Sequence, residues 1–230
     1  MFLGHYGVAL ALKRLEPKIS LGTLFLATQL VDLLWGLFIL VGWEHALIVP
    51  DANPLLNLEF VDYPISHSLV GAIGWGVLAA AAYYSWPTRD TSRHWQASAL
   101  VGGAVASHWL LDLLVHTRDL PLAGNDSTKV GLGLWRHFGL GVTADLLVLA
   151  LGAVVYVAMR SRRHPVRPWR LALVLLVPVG AYLASLFGPL PPSMTAVGLS
   201  MVVFVPLMSA LAAWADRAAT PAEMAAHPPR

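Results

Sequence analysis

His108 and Asp112 stand four residues apart inside the apolar stretch His94 to Val115. On a helix that spacing puts an imidazole and a carboxylate on one face, where they can hydrogen-bond to each other or share a metal ion. His116 continues the same stripe. Asp32 lies near the middle of the stretch Leu21 to Trp43, with Thr28 and Gln29 one turn before it. His67 follows Tyr63-Pro64-Ile65-Ser66 and opens the next apolar stretch, and His5 sits in the short run Met1 to Leu12. A His and Asp set of this kind suits a divalent cation, zinc first and manganese second. Such an ion brings the pKa of a bound water to near 7 and polarises the ester or phosphoryl oxygen under attack. Asp145 is read differently, as a cap for the start of its own helix.

The elements that must position these residues are membrane helices. Of 230 residues, 57% are hydrophobic and 12% charged, about half the charged fraction of a soluble domain. A spanning helix needs roughly 20 apolar residues, and six stretches approach that: Leu21 to Trp43, His67 to Trp86, His94 to Val115, Gly141 to Met159, Trp169 to Phe187 and Thr195 to Trp214. Trp43, Trp86, Trp95, Trp169 and Trp214 sit at or near their ends, as in an interfacial aromatic belt. The expected fold is all-α, a polytopic transmembrane bundle of about six spans with a short N-terminal helix packed inside it. Residues 1–219 form one integral membrane domain, and the Pro- and Ala-rich tail 220–230 is expected to be disordered. There is no cysteine, which excludes disulfides, thiolate nucleophiles and Cys-ligated metal sites. The first stretch has its basic residues Lys13, Arg14 and Lys18 after its apolar run, unlike a cleaved signal.

The linkers give an orientation. Residues 13–18, 87–93, 160–170 and the tail from 215 hold 12 Lys and Arg, whereas 44–66, 116–140 and 188–194 hold three: Arg118, Lys129 and Arg136. The two sets alternate, and the positive-inside rule puts the first in the cytoplasm. The expected location is a bacterial-type inner membrane, with membrane lipid as neighbour and no nucleic-acid partner. The 44–66 linker, with Glu44, Asp51, Glu59 and Asp62, then faces outward. Asp32 falls near the midplane and His67, His108, Asp112, His116, Asp145 and His5 toward the outer side, so that all seven can converge on the outer half of the bundle. A lone membrane histidine is more often a packing partner than a ligand. Five mutually reachable His and Asp side chains are better explained by a metal than by five packing roles.

Gly4-His5, Leu30-Val31-Asp32-Leu33, Ser66-His67-Ser68-Leu69 and His108-Trp109-Leu110-Leu111-Asp112, in that order, resemble the LexA-binding, inner-membrane-associated hydrolase family. That family is grouped with the zinc-dependent phospholipase C superfamily. Asp119-Leu120-Pro121-Leu122 and Gly131-Leu132-Gly133-Leu134-Trp135 look like its loop motifs. The resemblance covers about the first 145 residues; Ser66 stands where the family has Thr, and Val31 where it has Pro. It implies that Asp32, His67, His108 and Asp112 hold one zinc. A second would use the bridging Asp, His5 and an N-terminal amine. For a third, His116, His137 and Asp145 match only loosely.

Three functions remain open from these residues. The first is a membrane-embedded metal-dependent hydrolase of a phosphoester or of an amphipathic or lipid-linked substrate. Asp32, His67, His108 and Asp112 would be its catalytic residues, with His5 and His116 added as metal ligands. The second is a proton or metal-ion transporter, which would need a polar trail from the site down to Gly102-Gly103. The third is an accessory membrane subunit whose His and Asp bond to each other.

Overall fold

Runs of Leu, Val and Ala that are apolar all round fold as helices in lipid, where no water satisfies backbone N–H and C=O groups. The structure, a computed structural model, describes residues 1–52, 54–86, 94–160 and 167–217. Its helices are α1 Leu3–Leu12, α2 Leu21–Thr28, α3 Leu30–Val41, α4 Pro64–His67, α5 Leu69–Ser85, α6 His94–Val115, α7 Phe138–Arg160, α8 Pro168–Phe187 and α9 Met194–Asp216. Four of them, α6 to α9, are long and apolar enough to cross a membrane, and α2 with α3 makes a fifth if the bent pair is one span. That is fewer than the six expected. The stretch read as His67 to Trp86 yields only the 17 residues of α5, about 25 Å of helix. The linker 87–93, most of 160–170, His164 and the tail 220–230 lie outside the described residues.

Two breaks separate the observed helices from the expected spans. Leu21 to Trp43 is not one helix: α2 and α3 meet at Gln29 with a bend of 53°. His67 does not open the long helix but ends the single turn α4, which Pro64 starts. Ser68 then caps α5, its Oγ accepting from Gly71 N at 2.9 Å, as an N-cap serine does.

Helix α1 is buried over Leu3 to Gly7 and again at Ala9 and Leu10, enclosed chiefly by α7, α2 and α6. It crosses α7 backbone against backbone: a Cβ on Gly7 would lie 2.3 Å from Val148 O, and one on Gly152 2.0 Å from Gly7 O. Gly76 on α5 meets Gly102 on α6 in the same way, and Gly36 on α3 meets Gly198 on α9. Small residues at crossings are how membrane helices gain close packing where lipid removes the hydrophobic drive. The outward faces carry exposed apolar side chains such as Val77, Leu147, Leu151, Leu176 and Val203, a surface that suits acyl chains. Trp43, Trp86, Trp95 and Trp169 are exposed near helix ends, consistent with the belt.

The linker 44–66 is more ordered than expected. It pairs β1 His45–Ile48 with β2 Leu58–Asp62, antiparallel and with a register shift at His45/Ala46. A second small pair joins β3 Leu120–Pro121 to β4 Lys129–Val130. At the opposite end of the bundle, Lys13 is buried rather than solvated. Its Nζ lies 2.6 Å from Asp216 Oδ2, and the Asp216 carboxylate also accepts from Tyr156 OH and Leu21 N. This ties the ends of α1, α7 and α9 to the start of α2.

Candidate metal centre

Four separate elements bring the predicted residues together. Helix α6 carries His108 and Asp112 on one face, and His116 directly follows its last residue. Asp32 comes from the first turn of α3, His67 from α4 and His5 from α1. Asp112 is the hub. Its Oδ2 lies 3.1 Å from His108 Nε2, 3.7 Å from His67 Nε2 and 3.9 Å from His116 Nε2. Its Oδ1 lies 3.4 Å from His5 Nε2 and accepts from the Met1 amino group. Asp32 Oδ1 faces His67 Nε2 at 3.4 Å and His108 Nε2 at 3.6 Å. His5 stacks on His108 with ring centroids 3.7 Å apart. Two triplets, His5-Asp32-His108 and His67-His108-Asp112, have ligand atoms all within 4.8 Å of one another.

The outer nitrogens of the rings decide what the inner ones can do. His108 Nδ1 lies 2.8 Å from the Thr28 carbonyl oxygen, which only accepts, so Nδ1 carries the proton. That carbonyl belongs to the last residue of α2, and a helix leaves its last carbonyls without an intrahelical partner. The bend at Gln29 thus turns it to His108. His116 Nδ1 donates to Asp119 Oδ1 at 3.2 Å. Burial disfavours ionisation of Asp119, but His116 beside it holds its carboxyl below the usual range. His67 Nδ1 lies 2.7 Å from Ser66 Oγ, and Ser66 gives its own proton to Glu44 Oε2 at 2.5 Å while its backbone N donates to Oε1. Burial pushes the Glu44 carboxyl up, against these hydrogen bonds.

With Nδ1 of all three rings occupied outward, Nε2 of each ring is the atom turned inward. These nitrogens face carboxylate oxygens, and at 3.1 Å His108 Nε2 and Asp112 Oδ2 have either a proton or a metal ion between them. His108 Nε2 and both nitrogens of His5 are buried without a hydrogen-bond partner. Ring N–H bonded outward to a carbonyl or carboxylate, with the other nitrogen turned in, is the arrangement metal-ligating histidines adopt. The donor set therefore fits a divalent ion, and it equally fits a proton on His108.

The remaining candidates fall outside this centre. His137 is exposed at the end of the 3₁₀ turn Leu134–Arg136. Asp145 does not cap its own helix. Because α7 begins at Phe138, Asp145 is about two turns inside it and caps α1 instead, its Oδ1 accepting from Gly4 N at 2.9 Å. The hub and its neighbours line a cavity of about 120 Å³, whose walls include Asp32, His67, Asp112 and His116 together with Trp35, Phe60 and Trp135.

Loops pack against the end of α6 beside the centre. Leu132 N donates to Leu113 O and Gly133 N to His116 O, which caps the end of α6. A Cβ on Gly131, at φ +155°, would lie 1.6 Å from Thr117 O. This cap seats Trp135 over the His116 ring, with centroids 4.4 Å apart. The sequence reading missed Glu44, Asp119 and the Thr28 carbonyl as partners. Glu44 lies 22 residues before Ser66, and nothing local marks the pairing. Comparison with protein-family models, with curated proteins and with solved structures gives no match.

Proposed function

We propose that the protein is a membrane-embedded metal-dependent hydrolase acting on a phosphoester of an amphipathic or lipid-linked molecule. The observation that carries this reading is the set of inward Nε2 atoms, fixed by outward partners and converging on Asp32 and Asp112. Asp32, His67, His108 and Asp112 would hold the first ion; Asp112 Oδ1 and His5 would offer donors for a second, and His116 would add a donor on the Oδ2 side. Zinc is the preferred ion and manganese the alternative. When bound, the ion supplies Lewis acidity toward the phosphoryl oxygen and acidifies a water. The chain's own share is to hold the ligands in one tautomer through Thr28, Ser66–Glu44 and Asp119, and to wall the cavity with Trp35, Phe60 and Trp135.

The finer topology belongs to the same proposal. The bent α2–α3 pair and α5 to α9 make six spans in a bacterial-type inner membrane, α1 is an inner half-span, and the site faces outward. Transport is disfavoured because α6 below the site buries Val101, Ala104 and Val105, and Gly102 closes against Gly76. The accessory-subunit reading keeps one favourable observation, since an imidazolium on His108 would also explain its 3.1 Å approach to Asp112.

Metal analysis of freshly purified protein, followed by a phosphoester and phospholipid panel with added zinc or manganese, tests the proposal. Asp112→Asn keeps the shape and removes the charge. It is expected to fold but to lose metal and hydrolysis together. A wild type that binds no metal and hydrolyses nothing on the panel leaves the accessory reading. An Asp112→Asn protein with wild-type turnover overturns the site assignment.

A further inference from the structure

A second cavity, about 380 Å³, adjoins the site between α8, α9 and the loop 55–58. Its volume falls in the range of ligand sites, about 300–1,000 Å³. Its walls include Ala181, Tyr182, Val197, Ser200, Met201 and Phe204, and they are predominantly apolar. The two cavities share lining residues, among them Phe2, Leu56, Trp135 and Met201, so a molecule in one reaches the edge of the other. At the inner wall Asp145 is fully buried, with the Tyr182 hydroxyl beside its carboxylate.

We infer that this cavity holds the single hydrocarbon chain of an amphiphile whose phosphoester lies at the His and Asp centre. The inference rests on the hydrolase reading for the phosphoester and deepens it by naming the substrate's tail. Three observations select a chain over a compact ligand. The lining is apolar along two neighbouring helices, the cavity lies at the end of the bundle that carries the site, and its polar atoms are confined largely to the wall at Asp145 and Tyr182 with a serine on each helix, Ser185 and Ser200. A chain leaving the bilayer for this cavity exchanges one apolar medium for another, so the cavity gives it position rather than hydrophobic drive.

The test is photolabelling with a lysophosphatidate whose acyl chain carries a diazirine, using zinc-loaded protein in nanodiscs, with labelled peptides mapped by mass spectrometry. Wild type is expected to be labelled on 181–185 and 200–204. Ser200→Trp, which fills the cavity, should reduce labelling there at least about tenfold, as steric exclusion rather than graded weakening predicts. Labelling of the lipid-facing Leu147 and Leu151 side should stay unchanged. Ala181→Phe, from the opposite wall, replaces Ser200→Trp if that variant does not fold. Absence of label on these peptides in wild type, or label unaffected by both substitutions, overturns the inference. The readout does not depend on turnover. Hydrolysis lost with Asp112→Asn while Ser200→Trp labels normally defeats the chain cavity alone. Normal cavity labelling in a protein that neither binds metal nor hydrolyses defeats the hydrolase reading alone.

Discussion

The centre depends as much on what lies behind each ring as on the rings themselves. Ser66 and Glu44 act on His67 alone, through one hydrogen-bonded line of 2.7 and 2.5 Å. Removing an outer partner of a metal-ligating histidine usually costs about 10–100-fold in metal affinity. Ser66→Ala and Glu44→Gln should each weaken zinc binding by that order, measured by competition with a chromophoric chelator. Ser66→Thr keeps the hydroxyl and should retain near wild-type affinity, an outcome a purely structural role for Ser66 would not require. His137→Ala should leave zinc affinity unchanged, because that side chain is exposed. Asp145→Asn should cost metal affinity far less than Asp112→Asn, since Asp145 reaches the centre only through α1. An Asp145→Asn loss equal to that of Asp112→Asn would move Asp145 into the ligand set.

At the scale of elements, α1 is placed by glycine. With Val148 O 2.3 Å from a Cβ on Gly7, a side chain there meets backbone, which cannot rotate away. Gly7→Val should therefore separate α1 from α7, at a cost of at least about 1–3 kcal/mol, and carry His5 away from Asp112. Gly103→Ala is the control, because a Cβ there meets nothing within 4 Å. Thermal unfolding in detergent should show a clear drop for Gly7→Val and no drop for Gly103→Ala; equal melting temperatures would refute the close crossing. This crossing was not legible in the sequence, where Gly7 is one small residue in an apolar run. The convergence of His5, Asp32, His67, His108 and Asp112 was legible, because a helix rises a fixed 1.5 Å per residue and polar side chains in lipid must turn inward. The break at Gln29 was not, since no Pro or Gly marks it. Asp145 was misjudged because its helix starts three residues earlier than the apolar pattern indicates, at Phe138 rather than Gly141. The β1–β2 pair escaped notice because Leu58-Glu59-Phe60-Val61-Asp62 alternates imperfectly.

For the whole molecule, the site's depth and the charge distribution lead to one orientation. The His and Asp centre sits at one end of the bundle and the Lys13–Asp216 pair at the other. By sequence, the linkers and tail that alternate with the site-side loops hold 12 Lys and Arg, Lys13 among them, against Arg118, Lys129 and Arg136 in the site-side loops. Cytoplasmic loops carry such an excess in multi-pass proteins, so the Lys13 end should face the cytoplasm and the metal centre the exterior. A chain without cysteine allows single-cysteine labelling on an otherwise unaltered background. Leu190→Cys, in the turn between α8 and α9, should react with an impermeant maleimide added to intact cells. His164→Cys, which lies outside the described residues, should react only after the membrane is opened. Both sites flank α8, so opposite results at the two also establish that α8 crosses the bilayer. Reaction of residue 164 in intact cells would invert the orientation and put the centre on the cytoplasmic side, where a substrate would have to approach from the inner leaflet. Reaction at both positions in intact cells would mean that α8 does not span, and the cavity between α8 and α9 would then lie at the membrane surface rather than within it.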